Sequence, residues 1–417
     1  MLTNDDKALV LLCSHIGIND KEIKPLTLKQ WNELAYKIAN SNIKRPEGLF
    51  SRNLDELMIE LNLPKETIEN IQKLLSRSVE ISIELEALYS KGIKVVTRAN
   101  NCYPTKLRKI LKDLAPPVIF YAGNLSLANC DGIGIVGSRN IKEEYVEFTK
   151  SLVKKAIDED LIIFSGGAKG IDDTSEKEAF IQGGRYVSFL ADSLESRIKK
   201  KDIRDKISTG RILLMTSTKP DIGFSVGAAM NRNKYIYGLS NAIFIIASDY
   251  NKGGTWTGAS ENIKNKWTKS FIRKDNKLKG NEELIKLGAI GIDNIKDISI
   301  RNLLYNEQKV IDNKEIIEEQ LNLENLIKDS EVNESSESYL TSKSINIEMN
   351  KHIDFDLYYY IVDVIVNVLK YNEKNIDELS EILNVRKSQL GIWLKRAMDE
   401  GKIKKLNKPN RYIANNN

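Results

Sequence analysis

Short, almost wholly apolar runs recur through the middle of the chain, each closed by a turn of small or polar residues. They are Ile133–Val136, Leu161–Phe164, Tyr186–Leu190, Ile212–Met215, Ala242–Ala247 and Ser270–Arg273. Such runs are too short for helices and are not confined to alternate positions, so they predict buried strands. Helical stretches separate most of them, which predicts a mostly parallel sheet with helices on both faces. Lys94–Thr97 and Val118–Asn124 predict two further strands. Between them a short helix, Leu107–Leu114, is stopped by Pro116 and Pro117.

The flanks carry different periods. Asp6–Cys13, Thr27–Asn40, Leu54–Leu61 and Lys65–Leu88 have helical spacing, with Thr27 as a cap and Pro64 at a helix start. Asp329–Ser338 is acidic and serine-rich, which predicts a linker. Beyond it, Phe355–Leu369, Asn375–Leu383 and Arg386–Glu400 read as three helices. Gly401 follows, then two short strands, Lys402–Leu406 and Arg411–Ile413, that pair as a wing. This is the pattern of a winged helix. From Arg386 to Arg411 nine cations face two acids, Asp399 and Glu400. A DNA-binding and a protein-binding use of this basic face stand equal. The expected division is a helical domain at 1–92, an α/β core at 93–305, a linker at 306–352 and a winged-helix domain at 353–417.

Composition narrows the chemistry. The 417 residues carry 63 Lys+Arg against 58 Asp+Glu, so net charge alone does not point to nucleic acid. Three scattered cysteines and two histidines, His15 and His352, argue against a metal site or a disulfide framework. No secretory pattern opens the chain and no run reaches a membrane span, so a cytoplasmic protein that enters no membrane is expected.

The turns after the central strands carry the candidate site. Gly137, Ser138 and Arg139 follow the first. Ser165, Gly166, Gly167, Lys169 and Gly170 follow the second. Gly253, Gly254, Thr255, Trp256 and Thr257 follow the fifth, Ala242–Ala247. Glycines at such turns let backbone amides approach an anion, and the next helix adds its positive end. Arg232, Asn233 and Lys234 lie among Tyr235 and Tyr237, a mixture that suits a nucleic-acid strand if the rings stack, although both rings serve equally as packing residues. Asp172 reads as part of a helix cap, or as a partner for a ribose or a neighbouring loop. Gly132–Gly137 matches GxGxxG only as letters, because its first two glycines fall before or within a strand. No P-loop or nucleophile elbow is present, and the core has no histidine, so no catalytic residues and no cofactor are expected.

In order and spacing these pieces resemble the DNA-processing protein A (DprA/Smf) family. The resemblance rests on Gly92–Thr97 with Tyr103-Pro104, Tyr121–Asn124, Ile135–Arg139, Ser165–Asp172, Arg232–Ser240, Gly253–Ala259 and Gly280–Ala289. It implies a Rossmann-like core that binds single-stranded DNA in a basic pocket, a homodimer, and delivery of the strand to a RecA-type recombinase. It places phosphate contacts on Arg139, Lys169, Arg232 and Lys234, with backbone groups of Gly166–Gly167 and Gly253–Thr257 assisting. The histidine that commonly follows Gly-Ile-Asp in the family is absent; Thr174–Lys177 occupies that region. Two other functions remain open on the residues alone. One is a nucleotide-binding sensor or nucleotide-processing enzyme. The other is a transcription regulator led by the winged helix.

Overall fold

A computed structural model describes residues 2–18, 20, 23–295 and 298–305, and most of 362–415. The expected linker at 306–352 lies outside the described residues, as does the first part of the expected helix Phe355–Leu369.

Five helices come first: α1 (Asn4–Cys13), α2 (Leu28–Asn40), α3 (Leu54–Leu61), α4 (Lys65–Leu75) and α5 (Ser78–Ser90). Thr3, Thr27 and Asn53 close capping boxes at the starts of α1, α2 and α3. The single helix expected over Lys65–Leu88 is two, broken at Ser76–Arg77. Arg77 is buried there and donates to the carbonyls of Leu11, Ile16 and Leu74. Asp6, also buried, accepts from Thr97 Oγ1 at 2.6 Å and Asn100 Nδ2 at 3.0 Å, tying α1 to the central sheet. One hydrophobic cluster runs from Leu9 and Leu12 through Leu57 and Ile71 to Val118, Ile133 and Phe244.

The sheet has nine strands: β1 (Lys94–Thr97), β2 (Val118–Gly123), β3 (Gly132–Val136), β4 (Ile162–Ser165), β5 (Tyr186–Phe189), β6 (Ile212–Thr216), β7 (Ala242–Ile245), β8 (Lys269–Arg273) and β9 (Ile290–Ile292). Their order is β1-β2-β6-β5-β4-β3-β7-β8-β9. Strands β3 to β9 pair in parallel, while β1 and β2 join antiparallel beside β6. Residues 93–130 therefore belong to the sheet itself. The connecting helices are α6 (Thr105–Leu111), α7 (Glu143–Asp158), α8 (Ile171–Ile181), α9 (Leu194–Ile198), α10 (Lys201–Ser208), α11 (Val226–Leu239), α12 (Gly253–Asn265), α13 (Lys279–Lys286) and α14 (Ile300–Tyr305).

The topology locates the site. From β3 the chain winds one way through β4, β5 and β6, then crosses back to place β7 on the other side of β3. The order reverses between β3 and β7, and ligands of open α/β sheets bind in the crevice beyond the strand ends at such a point.

Near the C-terminus, α15 (Ile376–Leu383) and α16 (Lys387–Asp399) precede an antiparallel pair, β10 (Ile403–Asn407) and β11 (Asn410–Ala414). Leu379, Leu390, Trp393, Leu394 and Ile403 form their shared core. These are the helices and the wing of a winged helix.

Candidate nucleic-acid interface

Two adjoining cavities open at the carboxyl rim of the sheet. The first, about 470 Å³, sits at the crossover. It is lined by Gly137, Ser138 and Arg139 after β3, by Asp172 of α8, by Arg232, Asn233 and Tyr237 of α11, and by Lys252, Gly253, Gly254 and Thr255 at the start of α12. The second, about 620 Å³, is lined by Arg139 and Arg232 again, with Gly166, Gly167 and Lys169 after β4 and Arg197 and Lys200 beyond β5. Arg139, Lys169 and Arg232 thus share one cavity although they come from three separate segments.

The three cations differ in freedom. Arg139 and Lys169 are exposed. Arg139 lies over the ring of Phe224, 5.1 Å from its centroid, and Phe224 is itself half exposed. Arg232 is 5% exposed and forms part of the floor, with Nη1 3.7 Å from Asp172 Oδ2. Its guanidinium lies so close to Gly166 that a Cβ there would fall 1.3 Å from Nη1. A side chain at 166 would have to push this guanidinium, the end of a long side chain, off its buried site. The Asp172 carboxylate offsets part of the Arg232 charge, so Arg232 positions the floor more than it offers a free cation.

The glycine-rich turn does not present its amides to solvent. Gly167 N donates at 2.8 Å to Oε1 of the buried Glu176, which also accepts from Ser188. Gly167 O accepts from Arg197 Nη2. Burial raises the Glu176 carboxyl to about 7, against the lowering pull of Ser188. Burial also raises the Asp172 carboxyl, opposed by Arg232 and by the amides of Ala168 and Gly166. A phosphate cradle of Gly166–Gly167 amides is therefore corrected: two carboxylates beneath the turn hold those amides inward.

Four other sequence candidates stay outside both cavities. Ser165 is buried in β4, its hydroxyl 3.5 Å from that of Ser175. Gly170 has φ +93° and packs on the loop after β3; a Cβ would lie 2.5 Å from Ser138 O. It is the hinge that brings the two loops together. Lys234 is half-buried on α11 and lines neither cavity. Thr257 donates to Gly253 O at 3.1 Å within its own helix. The two tyrosines do not offer free faces for stacking: Tyr235 lies in the core 4.8 Å from Phe189, and Tyr237 is buried in the cavity floor. Phe224 supplies the exposed ring instead.

Sequence reasoning missed Phe224, Arg197, Lys200 and Glu176. Arg197 and Lys200 had one available signal, a basic run after a strand end. Glu176 had none, since its burial depends on α8 packing under the turn. Beneath the cavity surface, Arg232 Nε and Tyr237 OH are buried without a hydrogen-bond partner. Neither cavity is lined by histidine or cysteine, and among the described residues no group of side chains is suited to a metal ion. No helix among them is long and apolar enough to cross a membrane.

A crossover crevice between β3 and β7 in a mostly parallel sheet with its connecting helices defines a Rossmann-like α/β protein. Residues 94–302, half of the chain, match the family described as DNA recombination-mediator protein A, and the chain belongs to that family. It is 27% identical over 162 residues to DNA processing protein DprA of Streptococcus pneumoniae, covering 38% of this chain and 55% of that protein. To Protein Smf of a Synechocystis strain it is 26% identical over 187 residues, covering 43% and 46%. The chain thus spans about half the length of these two relatives. The X-ray structure of DprA from Streptococcus pneumoniae superposes with a TM-score of 0.54 at 20% identity, over 74% of this chain and 99% of that one, which shows a shared fold.

Proposed function

We propose that this protein binds single-stranded DNA along the carboxyl rim of its sheet, as a homodimer that delivers the strand to a RecA-type recombinase. The observation that carries this reading is the convergence of the exposed Arg139, Lys169 and Lys200 on one open cavity beside an exposed aromatic, Phe224, with Arg197 held in the wall by Asp192 and Gly167 O. Exposed cations neutralise phosphates without reading sequence, and a ring at their edge stacks on any base. Membership of a family described as a DNA recombination mediator supports the recombinase part of this reading, and the homodimer is carried over from the family resemblance. The division into a helical region at 1–92, a binding core at 93–305 and a winged helix at 353–417 goes with this proposal.

The test is oligonucleotide binding across a salt titration. Arg139→Ala or Lys169→Ala should each weaken binding roughly tenfold, the scale of one lost charged hydrogen bond. Binding indifferent to salt and to both substitutions would overturn the reading.

One observation favours a second reading. The first cavity is the size of a small-ligand pocket, and Arg139, Asn233, Lys252 and Thr255 in its lining suit a single nucleotide. Thermal shift with mononucleotides, followed by product analysis, separates the two. Turnover without affinity for oligonucleotides would favour a nucleotide enzyme.

A further inference from the structure

The opposite end of the sheet carries a second basic hollow. It has a volume of about 830 Å³ and lies at the amino ends of β7 and β8. Four lysines line it: Lys106 and Lys109 from α6, Lys266 just past α12, and Lys269 opening β8. Trp267 and Tyr305 stand among them, Trp267 half-buried and Tyr305 54% exposed.

The charge here is not balanced from within. The nearby carboxylate, Asp131, is already engaged: it accepts from Lys106 Nζ at 3.0 Å, from Asn241 Nδ2 at 3.1 Å and from Tyr305 OH. Those bonds, led by the one from Tyr305, hold the Asp131 carboxyl below its ordinary range. Lys109, Lys266 and Lys269 are exposed and pair with no described carboxylate. A lysine just past a helix C-terminus complements the helix dipole, which accounts for Lys266. Lys109, in the last turn of α6, has the same account, but Lys269 opens a strand and has none. Three like charges brought to one concavity repel, and a bound polyanion removes the repulsion.

The hollow is also joined to the first site. Helices α11 and α12 begin at the crossover cavity, with Val226 and Gly253 in its wall, and end at this hollow, beside Ser240 and Lys266. Their 14 and 13 residues span about 20 Å at the helical rise. Both sites are therefore fixed to the same two rigid rods.

We propose that this hollow is a second contact for single-stranded nucleic acid, holding the phosphates of a strand that extends beyond the rim. The two aromatics in the lining favour this occupant over an acidic peptide, because Trp and Tyr rings offer stacking platforms that bases use. The proposal rests on the single-strand reading of the rim.

The experiment compares the full chain with a Lys109→Ala/Lys266→Ala/Lys269→Ala variant, using oligodeoxythymidylates of increasing length across a salt titration. Thermal unfolding of both proteins serves as the folding control. The wild-type protein should gain affinity with length beyond what the rim alone contacts. The variant should match it on the shortest oligonucleotides, lose that gain, and show a salt slope on long ones lower by about 2, at 0.7 per lost phosphate contact. Trp267→Ala should lower long-strand affinity with the slope unchanged. A variant that keeps both the length gain and the slope overturns the second contact and leaves the rim reading intact. Wild-type protein that binds no oligonucleotide of any length overturns both. If the triple substitution instead abolishes binding of a polyglutamate peptide and leaves long-strand binding untouched, the hollow takes an acidic protein segment and the proposal fails.

Discussion

At the scale of single residues, the decisive feature is what lies beneath the glycine-rich turn. Gly166 has no room for a methyl group because the Arg232 guanidinium occupies that space. Gly166→Ala should push Arg232 away from Asp172, leave that carboxyl with only the amides of Ala168 and Gly166, and destabilise the fold by roughly 1–3 kcal/mol. Denaturant unfolding measures this, and an unchanged midpoint would contradict it. Glu176 makes a second prediction, with a sign. Its folded carboxyl sits near 7, above the ordinary 4.5, so the folded state holds a proton that the unfolded state has released. That preference is complete below the unfolded value and is lost as pH rises from about 4.5 through 7. Wild-type protein should therefore lose stability over that window, by up to roughly 3 kcal/mol from this group. Glu176→Gln, which keeps an acceptor for Gly167 N, should flatten the loss. Melting curves at pH 5 and pH 8 for both proteins check it, and equal pH dependence would contradict it. The sequence showed the cations at 139, 169 and 232 together with the glycines between them. It did not show that Arg232 is buried or that the turn's amides face inward. Both depend on how α8 and α11 pack, which no local pattern encodes.

At the scale of elements, the strands were legible because a parallel strand buried on both faces is apolar at nearly every position. The letters of β3, β4, β6 and β7 sit within a residue or two of the expected runs. Strand direction was not legible: nothing in Lys94–Thr97 or Val118–Gly123 marks them as the antiparallel edge, since pairing partners lie far along the chain. The three-residue β9 was too short to register against its surroundings. The loop after β3 and the loop after β4 meet at Gly170, whose φ of +93° and contact with Ser138 O exclude a side chain. Gly170→Ala should separate the Arg139 and Lys169 loops. It should cost at least 1 kcal/mol of stability and weaken oligonucleotide binding beyond what that loss explains. Binding that tracks stability alone would show that the loops need not be coupled.

At the scale of the whole molecule, function is assigned by topology. The crossover between β3 and β7 makes a crevice lined by cations from separate segments, and the proposed function follows from that placement. The winged helix, with α15, α16 and the β10–β11 hairpin, is an addition to that core. Deletion of 353–417 should leave most single-strand affinity in place, measured by fluorescence anisotropy; its abolition would move the DNA site to the winged helix. The most direct test of the account is the salt dependence of single-strand binding by the full chain and its Arg139→Ala/Lys169→Ala variant, with duplex and mononucleotide ligands alongside. The account expects single strands to bind best and the variant's salt slope to fall by about 1.4, two contacts at 0.7 each. A variant with the wild-type slope, or a protein that prefers mononucleotides to oligonucleotides, would contradict it.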